Sequence, residues 1–267
     1  MNHPTLLPDD LPLDGIETGQ GPPLVLLHGA GVDLDLWAPQ MAAYAAHHRV
    51  IALNLPGHGA SPMVLNGVPG MADAVVQTLD ALGIDRCAVI GLSLGGMVAL
   101  EIAGRWPDRV THLIFVEAVP YVAASSWGKR AMAAAIWPLQ WIPPRWLAKL
   151  PAKSMGAETE EAGQYVKTAL AKMDRAVTYR ILRDALDYDG RACLAQVTAR
   201  SLILVGAANP ATHKRAQEAA AGITGAVFEI VPDAGHILNR DAAEAFTQRT
   251  IAFLQEPASL GGSETAC

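Results

Sequence analysis

Short apolar segments alternate with longer segments of helical periodicity along most of the chain. The apolar segments are rich in Val, Ile and Leu and almost free of polar residues, which is typical of parallel strands buried on both faces. They predict strands at residues 24–27, 50–53, 87–91, 112–116, 201–205 and 227–231. The intervening segments predict helices at residues 38–47, 70–82, 94–105, 212–221 and 241–254. This order predicts an α/β fold with a mostly parallel central sheet flanked by helices.

The alternation stops after Pro120 and resumes at Ser201, and the Pro-, Asp- and Gly-rich start of the chain predicts only an irregular antiparallel edge. Within this interval, residues 127–146 hold four of the six tryptophans, and acidic helical segments follow at residues 158–189. An insertion of this length between two core strands predicts a helical lid over one end of the sheet. We therefore predict a core of residues 1–120 and 196–258, a lid of residues 121–195 and a disordered tail at 259–267.

Composition excludes several classes of function. A formal net charge of −6 with scattered Lys and Arg gives no basic stripe, so no nucleic-acid partner is expected. The chain has three cysteines, and Cys87 lies in an apolar predicted strand, which favours reduced thiols and a cytoplasmic location. No targeting signal or membrane-spanning segment is visible, and no membrane partner is expected. Metal, redox and phosphate-loop motifs are not found either, so no cofactor is implied.

The strongest chemical signal is Gly91-Leu92-Ser93-Leu94-Gly95, which lies between a predicted strand and a predicted helix. A nucleophile on a sharp strand-to-helix turn needs small neighbours, because strand and helix approach closely there. Such a turn exposes the Ser93 hydroxyl and leaves the first N–H groups of the helix beside a developing oxyanion. The pattern therefore favours Ser93 as a catalytic nucleophile over an ordinary glycine-rich turn.

Three further loops complete the predicted site around this serine. His28-Gly29-Ala30-Gly31 follows the first predicted strand, so we expect the N–H groups of Ala30 and Leu94 to form the oxyanion hole, with His28 as a structural hydrogen-bonding residue. Residues 54–61 form a turn-rich loop that is expected to shape the rim of the pocket. His236 follows the last predicted strand, where a parallel sheet delivers functional side chains, and is the candidate general base.

The order of these motifs resembles the α/β-hydrolase superfamily over nearly the whole chain. HGxG, PGHGxS, GLSLGG, an inserted lid, LILVG and a late Gly-His pair follow one another as they do in that family. The segment around GLSLGGMVAL is similar to enol-lactonases and related small esterases. The resemblance implies a Ser–His–acid triad and hydrolysis at an acyl carbon.

The acid departs from the usual pattern of the family. Its members commonly carry an Asp shortly after the strand that matches LILVG, whereas this chain has Asn209 there, which cannot supply a negative charge. Glu117 ends the strand after the nucleophile helix, and haloalkane dehalogenases and zearalenone-lactone hydrolases, which the segment VEAVP resembles, carry their triad acid in that place. We assign the triad as Ser93, His236 and Glu117. Asn209 as a weak third member and Asp233 as the acid are alternatives, and Glu117 as an anchor of the lid is another.

The expected activity is hydrolysis of a small ester or lactone by an acyl-enzyme mechanism, in a monomer or homodimer. The apolar lid suggests a hydrophobic or aromatic substrate, although its tryptophans would equally serve to pack the lid on the core. Hydrolysis of a carbon–carbon bond in a diketone would use the same residues, and a small-molecule binding module with slow turnover is a further alternative. The residues predicted to line the pocket are Trp127, Trp137, Trp141, Met132 and Tyr121.

Overall fold

The structure is a computed structural model that describes residues 4–258. Within them, eight strands form one sheet in the order β1-β2-β4-β3-β5-β6-β7-β8. The pairs β1–β2 and β2–β4 are antiparallel and all other neighbouring pairs are parallel. The strands are β1 (Thr5–Leu6), β2 (Gly15–Thr18), β3 (Pro23–Leu27), β4 (Arg49–Leu53), β5 (Cys87–Leu92), β6 (Val110–Val116), β7 (Arg200–Gly206) and β8 (Val227–Val231).

Helices lie between most of the parallel strands, and a series of them lies between β6 and β7. None of the helices in residues 4–258 has the length and apolar character needed to cross a bilayer. Short 3₁₀ turns occupy Leu34–Trp37, Pro107–Arg109, Trp137–Trp141 and Ala152–Met155. The α-helices are α1 (Ala38–Ala45), α2 (Gly67–Ala81), α3 (Leu94–Arg105), α4 (Ser126–Ile136), α5 (Pro144–Leu147), α6 (Glu160–Lys172), α7 (Arg175–Asp187), α8 (Arg191–Leu194), α9 (Pro210–Gly222), α10 (Leu238–Asp241) and α11 (Ala243–Leu254).

The apolar strands bury both of their faces, because helices cover the sheet on each side. Successive side chains of a strand point to opposite faces, so Val25 and Leu27 join one hydrophobic core while Leu24 and Leu26 join the other. Each fully buried aliphatic side chain contributes about 2 kcal/mol of transfer free energy. The uniformly apolar strands are therefore stable only when helices cover the sheet on both faces. This requirement determines the three-layer architecture of helices, sheet and helices.

The predicted α/β fold is confirmed, and the bounds of the central elements are close to those predicted. α3 has the predicted bounds, and β1 and β2 form the expected antiparallel edge. The expectation that every predicted strand is buried on both faces is wrong for β8. It lies at the edge of the sheet, with Val227 37% and Ile230 46% exposed.

The division into core and lid stays a prediction, although α4 to α8 all fall within the interval assigned to the lid. We call residues 121–195, between β6 and β7, the insertion. The predicted tail at 259–267 lies outside the described residues.

Candidate active site

Ser93 occupies a strained turn between β5 and α3. Its φ of 55° and ψ of −113° lie outside the regions that L-residues prefer. The Ser93 N–H donates to the carbonyl of Val116 at 2.9 Å, which ties the turn to the end of β6. A Cβ at Gly91 would overlap the carbonyl of Gly95, and a Cβ at Gly95 would overlap that of Leu27. The glycines of the motif are therefore a steric requirement of the turn that carries Ser93.

Gly95→Ala tests this requirement. We expect it to lower the free energy of unfolding by at least about 2 kcal/mol, because the atoms in the way belong to the backbone and cannot rotate aside. Gly128→Ala is the matched control, since Gly128 also lies in the first turn of a helix but contacts mainly a serine side chain. Equal stability of the two variants in urea unfolding would contradict the close packing described here.

The loop after β3 lies against the serine turn. A Cβ at Gly29 would be 3.4 Å from the Ser93 Cβ, so the neighbouring Ala30 is close to Ser93. Among the hydrogen bonds of residues 4–258, none has the Ala30 N–H as its donor. Leu94 is the first residue of α3, where a helix leaves N–H groups without an intrahelical partner. Both predicted oxyanion donors thus lie at this turn, and their role stays a proposal.

Two buried histidines brace the loop after β3. His28 accepts from the Leu55 N–H at Nε2 (3.0 Å), and His58 accepts from the Gly31 N–H at Nε2 (3.1 Å). Both rings therefore need an unprotonated Nε2. Burial holds the pKa of His28 well below its usual range and lowers the pKa of His58 to about 4. His28 has the structural role expected from the sequence, whereas the brace formed by His58 was not foreseen.

These two rings predict acid sensitivity of the fold. In the unfolded chain a histidine protonates near pH 6.5, whereas folded His58 stays neutral down to about 4, so its contribution is complete above 6.5 and is lost as the pH falls towards 4. The loss from His58 alone amounts to about 3 kcal/mol. In urea unfolding between about pH 7.5 and 4.5, the free energy of unfolding should depend less steeply on pH in His58→Gln than in wild type. The exposed control His47→Gln should behave as wild type, and an equal slope in all three proteins would contradict this origin.

Glu117 places a buried carboxylate at the end of β6. Its side chain is fully buried, and its backbone has a φ of 47°. Oε1 accepts from the Gly206 N–H, and Oε2 accepts from Asn209 Nδ2 at 2.6 Å and from Thr212 Oγ1 at 3.1 Å. All three partners are donors, as an ionised carboxylate requires. The strained backbone is held by a bond from the Glu117 N–H to the carbonyl of Leu204.

The same carboxylate lies beside His236. Oε2 of Glu117 is 3.3 Å from His236 Nδ1, and Asn209 Nδ2 is also 3.3 Å from that nitrogen. In one tautomer, Nδ1 carries the proton and donates to Glu117, so that Nε2 is free to act as a base. In the other tautomer, Nδ1 accepts from Asn209, and Nε2 carries the proton and cannot act as a base. An ionised Glu117 carboxylate can only accept, so its position beside Nδ1 favours the first tautomer.

The loop that carries His236 is held by the insertion. The carbonyl of Gly156 accepts from the backbone N–H groups of His236 (2.7 Å) and Ile237 (3.2 Å). Asp241 joins the same two segments. Its Oδ1 accepts from the N–H groups of Glu158 and Thr159 at 3.0 and 2.9 Å, and its Oδ2 accepts from the Gly235 N–H at 3.0 Å. No local pattern indicated the bonds that involve Gly156, Glu158 and Thr159, because each joins residues at least 80 positions apart.

Asp241→Asn tests the coupling between the insertion and the histidine loop. The amide places an N–H₂ group opposite one of these donors, so the loop should shift and kcat/KM should fall about 10- to 100-fold. The fold should persist, since Asp241 is only half-buried. Exposed Asp85 provides the control Asp85→Asn, and wild-type kcat/KM in Asp241→Asn would show that the contact does not position the histidine.

Four of the five residues predicted to line the pocket are exposed, and their role stays a prediction. Trp127 is 78% exposed, and Trp137 and Trp141 are 54% and 53% exposed, so these side chains face solvent. Met132 is 40% exposed. Tyr121 is buried, but its hydroxyl donates to Glu218 of α9. This exposure argues against a role as walls of a closed pocket.

A cavity of about 550 Å³ lies against α7 and α8, and a cavity of about 520 Å³ lies beside the loop after β3. The second has the size of a small-molecule site. It is bounded by Asp33, by the loop after β4 and by α6 and α7, and it includes Gly57 and Ser61 of the segment predicted to form the rim. Within residues 4–258, no group of three His, Cys, Asp or Glu side chains is arranged to hold a metal ion.

Comparison with known proteins places this geometry in a family. A model described as "Alpha/beta hydrolase family" matches residues 24–249. The chain is 30% identical over 253 residues to a putative carbamate hydrolase of Variovorax paradoxus, covering 90% of this chain and 94% of that protein. It is 31% identical to the dihydrolipoyllysine-residue acetyltransferase component of an acetoin cleaving system from Pseudomonas putida, covering 88% of this chain. The chain spans only 64% of the length of that relative.

Solved structures show the same architecture. An enol-lactonase from Burkholderia xenovorans LB400 superposes with a TM-score of 0.73 at 25% identity, covering 91% of this chain and 96% of that one. A hydrolase from Pseudomonas aeruginosa PA01 superposes with a TM-score of 0.80 at 25% identity, covering 95% and 99%. A thermophilic esterase from Thermogutta terrifontis, at 22% identity, supports the fold alone, with a TM-score of 0.82 and coverage of 96% and 98%.

Proposed function

This chain belongs to the α/β-hydrolase family, and we propose that it is a serine hydrolase that cleaves small carboxylic esters or lactones. The observation that carries the proposal is the contact between the buried Glu117 carboxylate and His236 Nδ1. This contact lies at the carboxyl ends of the parallel strands, where the strained turn carries Ser93. A histidine held in this way has its other ring nitrogen available as a base. Family membership adds hydrolysis as the reaction.

We propose a mechanism in which each of these side chains has one role. Ser93 Oγ attacks the acyl carbon while His236 Nε2 takes its proton, and Glu117 stabilises the imidazolium through Nδ1–H. The negative oxygen is stabilised by the N–H groups of Ala30 and Leu94. Collapse of the intermediate breaks the bond to the leaving oxygen, which receives the proton from His236. Water, deprotonated by the same histidine, then attacks the acyl-enzyme. Cleavage of the bond between the acyl carbon and Ser93 Oγ releases the acid, and His236 returns its proton to Ser93.

Asn209 has a supporting role in this proposal. It donates to Glu117 Oε2 at 2.6 Å and so limits the rotation of the carboxyl group. The contact between Glu117 and His236 counts against a binding module without turnover, because such a module needs no activated histidine. It also counts against Asp233 as the acid, since Asp233 is exposed.

The class of substrate is supported by the cavity and by the relatives. The cavity of about 520 Å³ is lined by Val32 and Asp33 of the loop that carries Ala30, but not by Ser93 or His236. We propose that it holds the part of the substrate that extends from the acyl carbon. An enol-lactonase and a putative carbamate hydrolase are among the similar proteins. We therefore propose esters and lactones as substrates and carbamates as the first compounds to compare.

Labelling with a fluorophosphonate, followed by peptide mapping, tests the nucleophile without knowledge of the substrate. We expect one label per chain, on the peptide that contains Ser93, and hydrolysis of aryl esters and lactones in a parallel screen. Labelling elsewhere would contradict the assignment of Ser93. An unlabelled and inactive wild-type protein would overturn the proposed function.

A further inference from the structure

The insertion carries an exposed surface of unusual composition. We call residues 118–157 the basic aromatic segment, because they contain five Lys and Arg residues and no Asp or Glu. The remaining residues then hold 15 Lys and Arg against all 26 Asp and Glu of the chain, so the segment is a local excess of positive charge on an acidic protein. Its basic residues are Lys129, Arg130, Arg145, Lys149 and Lys153.

The segment also exposes large apolar side chains. None of the residues of α4 is buried, and Trp137 and Trp141 stack edge to face, with ring centroids 4.3 Å apart, on the turn that follows it. Isolated exposed apolar residues are ordinary, but four tryptophans exposed by more than half within one segment are not. They are Trp127 (78%), Trp137 (54%), Trp141 (53%) and Trp146 (59%).

The charges of the segment are largely unpaired. Across the part of the chain that the structure describes, no carboxylate forms an ion pair with Arg130, Arg145 or Lys149, all of which are exposed. Lys153 pairs with Glu158 at 3.2 Å, just outside the segment. The free cations are therefore available to a negatively charged partner.

We propose that the basic aromatic segment docks the protein on an anionic phospholipid surface. Indole rings favour the boundary between lipid headgroups and acyl chains, where the ring is desolvated and its N–H remains hydrated. Lys and Arg can bury their aliphatic stems there while the charges meet lipid phosphates. A second copy of this chain in a symmetric contact fits less well, since it would bring two sets of five cations together.

The docking surface adjoins the candidate active site without including it. The segment ends at Gly156 and residue 157, and the Gly156 carbonyl accepts from the N–H of His236. Docking would bring that side of the molecule towards the lipid surface. The expectation that the protein has no membrane partner would then be correct for membrane-spanning segments but not for association with the membrane surface.

Vesicle sedimentation with the full chain tests the proposal without reference to hydrolysis. We expect binding to vesicles of phosphatidylcholine mixed with phosphatidylglycerol, a blue shift of tryptophan emission, and release at high salt. Arg145→Gln/Lys149→Gln should weaken binding about twentyfold, and Trp137→Ala/Trp141→Ala at least about tenfold. The control Arg86→Gln/Lys214→Gln removes two exposed cations outside the segment and should bind as wild type.

Each other outcome overturns the proposal. Equal binding to vesicles with and without phosphatidylglycerol would show that the charges do not contribute. Equal binding by wild type and all variants would show that the basic aromatic segment does not contribute. Self-association that Trp137→Ala/Trp141→Ala abolishes, without vesicle binding, would identify a second copy as the occupant. Binding of heparin but not of vesicles would identify a soluble polyanion.

Discussion

Replacing Ser93 by alanine should lower turnover by about 10⁶-fold and abolish fluorophosphonate labelling. The reason is that the variant keeps the base, the acid and the oxyanion donors but has no atom that can form the acyl-enzyme. The fold should persist, because alanine at a φ of 55° is strained no more than serine is. Steady-state kinetics on the ester or lactone that wild type hydrolyses fastest, together with urea unfolding, gives both quantities.

Ser126→Ala is a suitable control for this variant, since Ser126 is an exposed serine at the start of α4. It should retain both labelling and turnover. A Ser93→Ala protein that is folded and still labelled would place the nucleophile elsewhere in the chain.

Glu117→Gln should lower turnover by about 10⁴-fold. The neutral amide cannot stabilise the imidazolium, and its N–H₂ group would face Gly206 N–H, Asn209 Nδ2 or Thr212 Oγ1, all of which are donors. The variant should therefore also lose about 1–3 kcal/mol of stability. The control Glu101→Gln separates the loss of turnover from the loss of stability. Glu101 is also a buried carboxylate, which accepts from Tyr188, but it lies in the second half of α3, away from Ser93. It should lose stability and keep its turnover.

The double variant Glu117→Gln/Asn209→Asp tests the geometry more directly. Asn209 Nδ2 lies 3.3 Å from His236 Nδ1, the same separation as Glu117 Oε2, so a carboxylate at residue 209 reaches the same ring nitrogen. We expect it to recover at least about a hundredfold of the turnover lost in Glu117→Gln. Full activity of Glu117→Gln alone would contradict the assignment of Glu117 as the acid. The assignment would also be contradicted if the double variant were stable but turned over no faster than Glu117→Gln.

Local patterns were sufficient to predict the centre of the fold. The uniformly apolar segments and the glycine-flanked Ser93 constrain the backbone over a few residues, and α3 was found with its predicted bounds. Glu117 was selected by its position at the end of a strand, which a parallel sheet places beside the ends of its neighbours. Glu229 was the only charged residue in the predicted strands and was the one local sign that β8 is an edge strand. Its apolar residues did not show this, because burial depends on the order of the strands.

Contacts between distant segments were beyond local patterns. Neither the bond from His236 to Gly156 nor the bonds that Asp241 accepts from Glu158 and Thr159 leave a trace in spacing or composition. The direction in which the insertion turns its tryptophans was equally hidden. A Trp in a helix of low polarity predicts burial, but the packing of α4 against α7 leaves Trp127 78% exposed.

The bond that the Gly156 carbonyl accepts from the His236 N–H limits how the insertion can be exchanged between related proteins. A Cβ on Gly156 would overlap the Cβ of His236, and its φ of 80° is itself unfavourable for other residues. A chimera that exchanges the insertion for that of a relative would need to retain a glycine here and the Glu158–Thr159 backbone that meets Asp241. Crossover points placed before Gly156 preserve this junction, whereas those placed after Thr159 replace part of the support of the base.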